Sequence, residues 1–177
     1  MDDKSNQKRN RTQNRSQVQQ QQKEKPPGTG LTQVWQKDAS TEGSDLARSE
    51  HEISRLIVDV AIEVHRTLGG SGLLASVYAD AMVWEFTQRE VLVRRQVWVP
   101  VMYKGDLLGT SLRLDMLVAG KVLVDCQAAP QFSPQAATQM SSHLRVTGLK
   151  LGMIINFGGP LLKSGIHRVV NGLTCED

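Results

Sequence analysis

Two aspartates form the best candidate for chemistry in this chain. Asp115 falls in the strand-like run Leu112–Val118, and Asp125 falls in a second such run, Lys121–Ala128. Ala119-Gly120 between them is typical of a tight turn. Antiparallel strands joined in this way would bring the two carboxylates close together.

A carboxylate pair of this kind suits a magnesium ion, which prefers hard oxygen ligands and keeps several waters. Such an ion stabilises charge on phosphoryl oxygens and lowers the pKa of an attacking water, as phosphodiester hydrolysis requires. A lysine beside the pair would orient the water and stabilise charge in the transition state. Gln127 shares a strand face with Asp125, because residues two apart point the same way. Its amide carries no charge and accepts no proton.

Apolar periodicity predicts the elements that would position these residues. Apolar residues from Ile53 to Leu68 recur every three or four positions, as on one face of a helix. Val-rich and aromatic runs then predict strands, with Pro100 indicating a sheet edge or a bulge. The predicted helices are 52–68, 73–90 and 135–146, and the predicted strands are 91–103, 107–118, 121–128, 149–157 and 166–170.

The resulting order, ααβββαββ, predicts an α/β (α+β) fold with a mixed β-sheet flanked by helices. Three strands joined by short turns would form an antiparallel meander, and a crossover helix would lead to the fourth strand. Ser133 and Pro134 are suited to the cap and the first turn of that helix.

Composition separates residues 1–50 from residues 51–177. The first 30 residues are rich in Gln and carry seven Lys or Arg against three Asp or Glu, whereas residues 51–177 carry twelve against eleven. We expect a disordered basic arm over 1–50 and one folded domain over 51–177. The arm, with its apolar island Leu31–Trp35, would either contact a protein or nucleic-acid partner or serve only as a solubilising leader.

The remaining composition predicts a cytoplasmic protein. Cys126 and Cys175 lack metal-ligand spacing and do not suggest a secreted disulfide framework. No run reaches the length of a membrane span, and the N-terminus lacks the apolar stretch of a signal peptide. The sequence leaves the oligomeric state open, a homo-oligomer included.

Longer motifs in the chain resemble the GxxExxY family of the PD-(D/E)XK nuclease superfamily. The resemblance extends from Ile53 to Leu173 and implies a restriction-endonuclease-like core. The runs that carry it are Ala61–Arg66, Gly72–Tyr78, Val101–Gly105, Arg113–Asp115, Thr147–Gly152, Ile155–Phe157 and Val170–Leu173.

The chain departs from that family where the chemistry would lie. Gly72 and Tyr78 match the name motif, but Ala75 stands at its glutamate position. The family's Glu-x-Lys strand motif falls on Asp125-Cys126-Gln127, and a usual tyrosine falls on His143.

The resemblance implies five site positions: Asp115, Asp125, Gln127, Glu63 and Gln139. Asp115 and Asp125 would be the ligands of any Mg²⁺. Glu63 lies at the edge of the apolar stripe of its helix, which suits either an inward-pointing acid of the site or a solvent-edge glutamate.

Three functions follow from these residues. The first is a non-catalytic binding or assembly subunit with no cofactor, because Ala75 and Gln127 remove a carboxylate and a cation. The second is a weak Mg²⁺-dependent DNA or RNA endonuclease. The third is nucleic-acid binding without cleavage, for which the folded part offers little net positive charge.

Overall fold

Three α-helices and five β-strands follow one another in the predicted order in the computed structural model, which describes residues 47–172. The helices are α1 (Glu50–Thr67), α2 (Ala75–Gln88) and α3 (Pro134–Thr147). The strands are β1 (Val93–Tyr103), β2 (Asp106–Val118), β3 (Val122–Gln127), β4 (Leu151–Asn156) and β5 (Ile166–Val170), the last preceded by a 3₁₀ turn at Leu162–Gly165. The α+β fold class is confirmed.

The predicted arm lies outside the described residues apart from its last four, and Glu50 already begins α1. Ser49 caps this helix in a reciprocal arrangement with Glu52. The backbone N–H of Glu52 donates to the Ser49 hydroxyl (3.2 Å), and the Ser49 N–H donates to the Glu52 carboxylate (2.8 Å). This capping box fixes where the described fold starts.

The five strands form one mixed sheet in the order β1-β2-β3-β4-β5. The β1–β2, β2–β3 and β4–β5 pairs are antiparallel, and β3 and β4 are parallel, as the crossover through α3 requires. Pro100 lies on the edge strand β1, and the β1–β2 register shifts between Pro100 and Met102. Both readings of this proline, an edge position and a bulge, are therefore correct.

Each face of the sheet carries its own apolar core. The side chains of Val122, Val124 and Cys126 on β3 pack with α1 and α2, whereas Leu123 packs in a second cluster with α3. This alternation is that of a strand covered on both faces. Asp125 therefore belongs to the α3 side.

The crossover helix α3 lies close against β4 because Gly152 has no side chain. A Cβ atom at Gly152 would lie 2.7 Å from Met140 Cγ and would also collide with its sulfur. Ser133 is the N-cap of α3 and Pro134 lies in its first turn, as predicted. The Ser133 hydroxyl accepts no hydrogen bond from the helix backbone and instead donates to Gln135 Oε1 (2.5 Å).

In the described part of the chain, no helix combines the length and the apolar character needed to cross a bilayer.

Candidate functional site

A pocket of about 180 Å³ opens on the α3 side of the sheet and gathers three of the predicted site residues. They are Asp115 from β2, Asp125 from β3 and Gln139 from α3. The complete lining consists of Arg113, Asp115, Leu123, Val124, Asp125, Ala136, Gln139, Met140 and His143. Polar side chains from two strands and the crossover helix therefore converge on one cavity.

The two carboxylates lie where β2 and β3 separate. These strands pair only from Met116↔Val124 to Val118↔Val122, so the ladder ends one residue before Asp115 and Asp125. The backbone N–H of Cys126 then donates to Asp115 Oδ2 at 3.4 Å, which leaves the side chain of Asp115 bridging the gap. The pocket exists because the strands part here and no ladder hydrogen bonds fill the opening.

The edge strand is irregular at the same level. Gln96 stands opposite Asp115 between two regularly paired positions and has φ 51°, a conformation that a non-glycine residue seldom adopts. On β2, Leu114 packs in the α3 cluster and Met116 in the α1–α2 cluster, although residues two apart normally share a face. This local distortion reorients β2 at Asp115, as strand irregularities beside functional sites commonly do.

Burial controls the protonation of the groups in the pocket. It raises the pKa of Asp125, an effect opposed by a hydrogen bond from Gln127 and increased by the negative charge of Asp115. The Gln127 amide donates from Nε2 to Asp125 Oδ2 at 2.7 Å. Burial also lowers the pKa of His143, with Asp125 acting in the opposite direction. At neutral pH the imidazole is therefore neutral, and Arg113 is the single cation among the lining residues.

Asp115 and Asp125 are the pocket residues that could serve as ligands of a hydrated magnesium ion. One oxygen of each is hydrogen-bonded, to the Cys126 N–H and to the Gln127 amide, and the second oxygen makes no such bond within residues 47–172. Mg²⁺ needs only one or two carboxylates when waters complete its shell. Among the described residues, no group of three or more His, Cys, Asp or Glu side chains could hold a metal ion. An ion held by this pair would stabilise negative charge on a phosphoryl oxygen.

Glu63 and Ala75 lie apart from these residues. The carboxylate of Glu63 pairs with Arg66 one turn along α1 and accepts a hydrogen bond from Thr67 Oγ1 at 3.2 Å. Ala75 is the first residue of α2. Neither contributes to the pocket lining. The assignment of Glu63 as a site acid stays a prediction, with its oxygens engaged by its own helix.

Two residues of the pocket lining, Arg113 and His143, were not among the site residues predicted from the sequence. Arg113 lies two residues before Asp115 on β2, and His143 lies one helical turn after Gln139 on α3. Strand alternation and helical periodicity were the signals that could have placed both beside the predicted residues.

Gly72 and Tyr78, which match the glycine and tyrosine of the motif named above, support the loop between α1 and α2. The Tyr78 hydroxyl accepts a hydrogen bond from the Leu73 N–H (3.1 Å) and donates to the Gly70 carbonyl (2.8 Å). Its ring stacks on Phe157 with centroids 4.4 Å apart. Gly72 has φ 117°, which strongly favours glycine. These residues therefore hold the α1–α2 connection in place, and they do not reach the pocket.

Replacing Tyr78 by phenylalanine should lower the free energy of unfolding by about 1 kcal/mol, because the partly buried Leu73 N–H and Gly70 carbonyl lose their partner while ring stacking is retained. Urea denaturation would measure the change. Tyr103→Phe is the matched control, since that ring is exposed, and we expect a change within about 0.5 kcal/mol. Equal effects of the two substitutions would contradict the supporting role of the Tyr78 hydroxyl.

Asp125→Asn should make the protein more stable near neutral pH. Because the folded-state pKa of Asp125 is raised, its protonated form favours folding below the unfolded pKa of about 3.9, and this contribution is lost as pH rises through the folded pKa. The asparagine variant cannot ionise at this position, so it does not lose this folding stability as the pH rises. Thermal denaturation across the acidic and neutral range should show a higher Tm for the variant near pH 7 and convergence near about pH 3.

Asp106→Asn serves as the control for this comparison, because Asp106 is exposed at the β1–β2 turn and surface charges contribute little to stability. An Asp125→Asn variant that is less stable than the parent near neutral pH would show that the ionised carboxylate is favourable in its pocket.

Comparison with protein families agrees with the fold. A family model described as "PD-(D/E)XK nuclease superfamily" matches residues 51–169, from the first turn of α1 into β5. No curated protein and no solved structure matches the chain. The match covers well over half of the 177 residues, and the three helices and mixed five-stranded sheet are those of a restriction-endonuclease-like core. The chain belongs to the PD-(D/E)XK nuclease superfamily.

Proposed function

We propose that this nuclease-superfamily domain is catalytically degenerate and that the chain acts as a non-catalytic binding or assembly subunit. The observation that carries the proposal is the hydrogen bond from Gln127 Nε2 to Asp125 Oδ2. The resemblance to the GxxExxY family places a lysine at this position. A neutral amide here engages the carboxylate without supplying a cation.

The chemistry of the neighbouring groups supports the same conclusion. An ammonium group would stabilise charge in the transition state, whereas an amide offers only a weaker dipole. A guanidinium group has only hydrogen-bond donors, so Arg113 offers no proton acceptor. Ala75 supplies no carboxylate, and the Glu63 carboxylate is paired with Arg66. The pocket therefore keeps two acids of the ancestral site and lacks both its lysine and its further acids.

Membership of the GxxExxY family itself is part of the proposal. Gly72 and Tyr78 are retained, and both stabilise the α1–α2 loop. A fold under selection for a scaffold would keep these residues after the acid at position 75 had lost its use. This pattern agrees with a domain that retains its architecture and not its chemistry.

Partner binding is proposed for the basic Gln-rich arm, residues 1–50, in a cytoplasmic setting. Its apolar island Leu31–Trp35 is the one segment of the arm with the hydrophobic side chains that an anchoring contact needs. Such segments can order on a partner surface.

A weak Mg²⁺-dependent endonuclease is the second candidate function. Asp115 and Asp125 suit a hydrated magnesium ion, and His143 is neutral in the same pocket and could accept a proton. In this reading Gln127 positions water without titrating, and Gln139 orients the site.

Cleavage of labelled DNA and RNA with Mg²⁺ or Mn²⁺ separates the two candidates. We expect no cleavage by the parent chain, and detectable cleavage by Gln127→Lys, because the substitution supplies the missing ammonium group beside Asp125. The matched control is Gln127→Lys combined with Asp115→Asn, which should be inactive. Cleavage by the parent chain that Asp115→Asn abolishes would refute the degenerate reading and support the endonuclease.

Removal of residues 1–40 should release proteins that co-purify with the full chain, because the proposed anchor lies in that segment. Replacing Leu31 and Trp35 together by serine should have the same effect if the apolar island makes the contact. Affinity purification followed by mass spectrometry would measure the loss. Partners that remain bound to both variants would exclude the arm as the binding segment.

A further inference from the structure

Helix α2 is apolar on two sides. One side is buried in the core and consists of Tyr78, Ala79, Met82 and Phe86. The other side faces solvent, where Leu74 at the N-cap is 73% exposed, Val77 is 39% exposed and Trp84 is 60% exposed. A helix that is hydrophobic all round is normally buried all round. The solvent side of α2 is therefore a candidate contact surface. We call it the α2 stripe and define it as Leu74, Val77, Ala81 and Trp84.

The α2 stripe has the spacing of a helix–helix interface. Its residues follow one another at intervals of three, four and three positions, so they lie along one line on the helix surface. Two helices that pack side by side use this spacing. Ala81 has only a methyl group, which leaves room between Val77 and Trp84 for a side chain of another helix. The stripe therefore fits a helical partner.

Leu74 is an unusual residue for its position. It is the N-cap of α2 and makes no side-chain hydrogen bond to the helix backbone. Serine, threonine, asparagine and aspartate are strongly preferred at an N-cap, because their side chains accept a hydrogen bond from an N–H of the first turn. Leu74 thus neither caps the helix nor enters the core. An intermolecular contact that buries this side chain would account for a leucine here.

The charges of α2 are already neutralised within the chain. Asp80 is ion-paired with Arg95 of β1, and Glu85 is ion-paired with Arg89. They are the two charged residues of α2. A strongly acidic or basic partner would therefore find no complementary charge on this helix. A second copy of the same helix fits better, because it brings a neutral apolar stripe and no charge that lacks a partner.

The α2 stripe is also complementary to itself. When two α2 helices lie antiparallel with a two-fold axis beside Ala79, Leu74 of one copy faces Trp84 of the other, and Val77 faces Ala81. Each larger side chain then meets a smaller one. Contacts related by a two-fold axis use the same patch on both subunits, and most soluble homo-oligomers are symmetric in this way.

We infer that the chain forms a two-fold dimer in which α2 packs antiparallel against α2 of a second copy. A specific interface of standard size buries about 800 Å² per partner, and one helix face of 14 residues supplies less than that. The dimer is therefore weak and reversible. The α2 stripe lies on the side of the sheet opposite α3, so both acidic pockets stay open in the dimer. The inference goes beyond the proposed function and holds for an active or an inactive site.

Sedimentation velocity of the full chain tests the inference. A concentration series from about 1 to 200 μM should show a monomer–dimer equilibrium, as expected for a weak interface. Trp84→Ser should raise the dissociation constant about tenfold or more, the effect of losing an aromatic anchor at the contact. The variant keeps residues 1–50, so association through the arm would not respond to this substitution.

Tyr103→Ser is the matched control. Tyr103 is 59% exposed, close to the value for Trp84, but it lies at the end of β1 beside the β1–β2 turn. Its replacement should leave the dissociation constant unchanged. Thermal denaturation of both variants verifies that each is folded.

A pair of charged variants tests the antiparallel register. Val77→Lys and Ala81→Glu should each weaken the dimer, because each places charge in an apolar contact. A mixture of the two variants should dimerise more tightly than either variant alone, because Val77 of one copy faces Ala81 of the other and opposite charges then meet. Added salt should weaken this mixed dimer more than the parent dimer.

A parent chain that stays monomeric over the whole series would overturn the inference, and so would equal dissociation constants of the Trp84→Ser and Tyr103→Ser variants. If the parent is monomeric and Trp84→Ser instead releases a different co-purifying protein, the stripe serves that protein and the inference is wrong. A mixture that dimerises no better than its components would overturn the antiparallel pairing. Cleavage with Mg²⁺ would refute the degenerate reading and would leave these outcomes unaffected.

Discussion

β2 and β3 stop pairing at Met116 and Val124, and the acidic pocket depends on that separation. The last ladder position leaves Asp115 and Asp125 on strands that have begun to part, with the Cys126 N–H donating to Asp115 across the opening. A continued ladder would have closed this space with backbone hydrogen bonds. The opening instead accommodates polar side chains from α3, which brings Gln139 and His143 to the carboxylates. Desolvation in this confined space then raises the pKa of Asp125.

The residues at the motif positions fall into two groups, those that support the fold and those at positions where a charge was expected. Tyr78 and Gly72 determine the path of the α1–α2 loop, and Tyr78 also stacks on Phe157 beside the sheet. Gln127 and Ala75 stand where the resemblance to the GxxExxY family implies a charged residue. A scaffold loses stability when its loop supports change, whereas it can gain stability when charges leave a buried site. The loop-supporting residues are therefore expected to be kept and the charged residues to be lost, because only the loss of the former destabilises the fold.

Sequence periodicity was sufficient for the order of elements, since alternation and helical spacing are local properties. Pro100 also identified the edge strand, because a residue without an N–H is poorly tolerated between two strands. The end of the β2–β3 ladder at Met116↔Val124 could not be predicted in this way, because the length over which two strands pair depends on contacts between elements distant in sequence.

Local sequence patterns also could not predict which hydrogen bonds and ion pairs the side chains form. Helical angles placed Glu63 near the apolar stripe of α1, but its capture by Arg66 and Thr67 depends on rotamers. Strand alternation placed Gln127 on the face of Asp125 and did not reveal that its amide would donate to that carboxylate. Arg113 could be assigned to the pocket lining only once the structure had placed the pocket.

Gly152 and the end of the β2–β3 ladder give the two carboxylates different surroundings. With no side chain on Gly152, Met140 of α3 packs directly over β4, the strand that pairs with β3 along the whole length that includes Asp125. Asp115 stands instead where β2 leaves β3 and continues only as half of a two-stranded hairpin, and such a pair of strands has little stability of its own. One acid of the pocket therefore belongs to the part of the sheet covered by a helix, and the other to the point where the hairpin leaves that sheet.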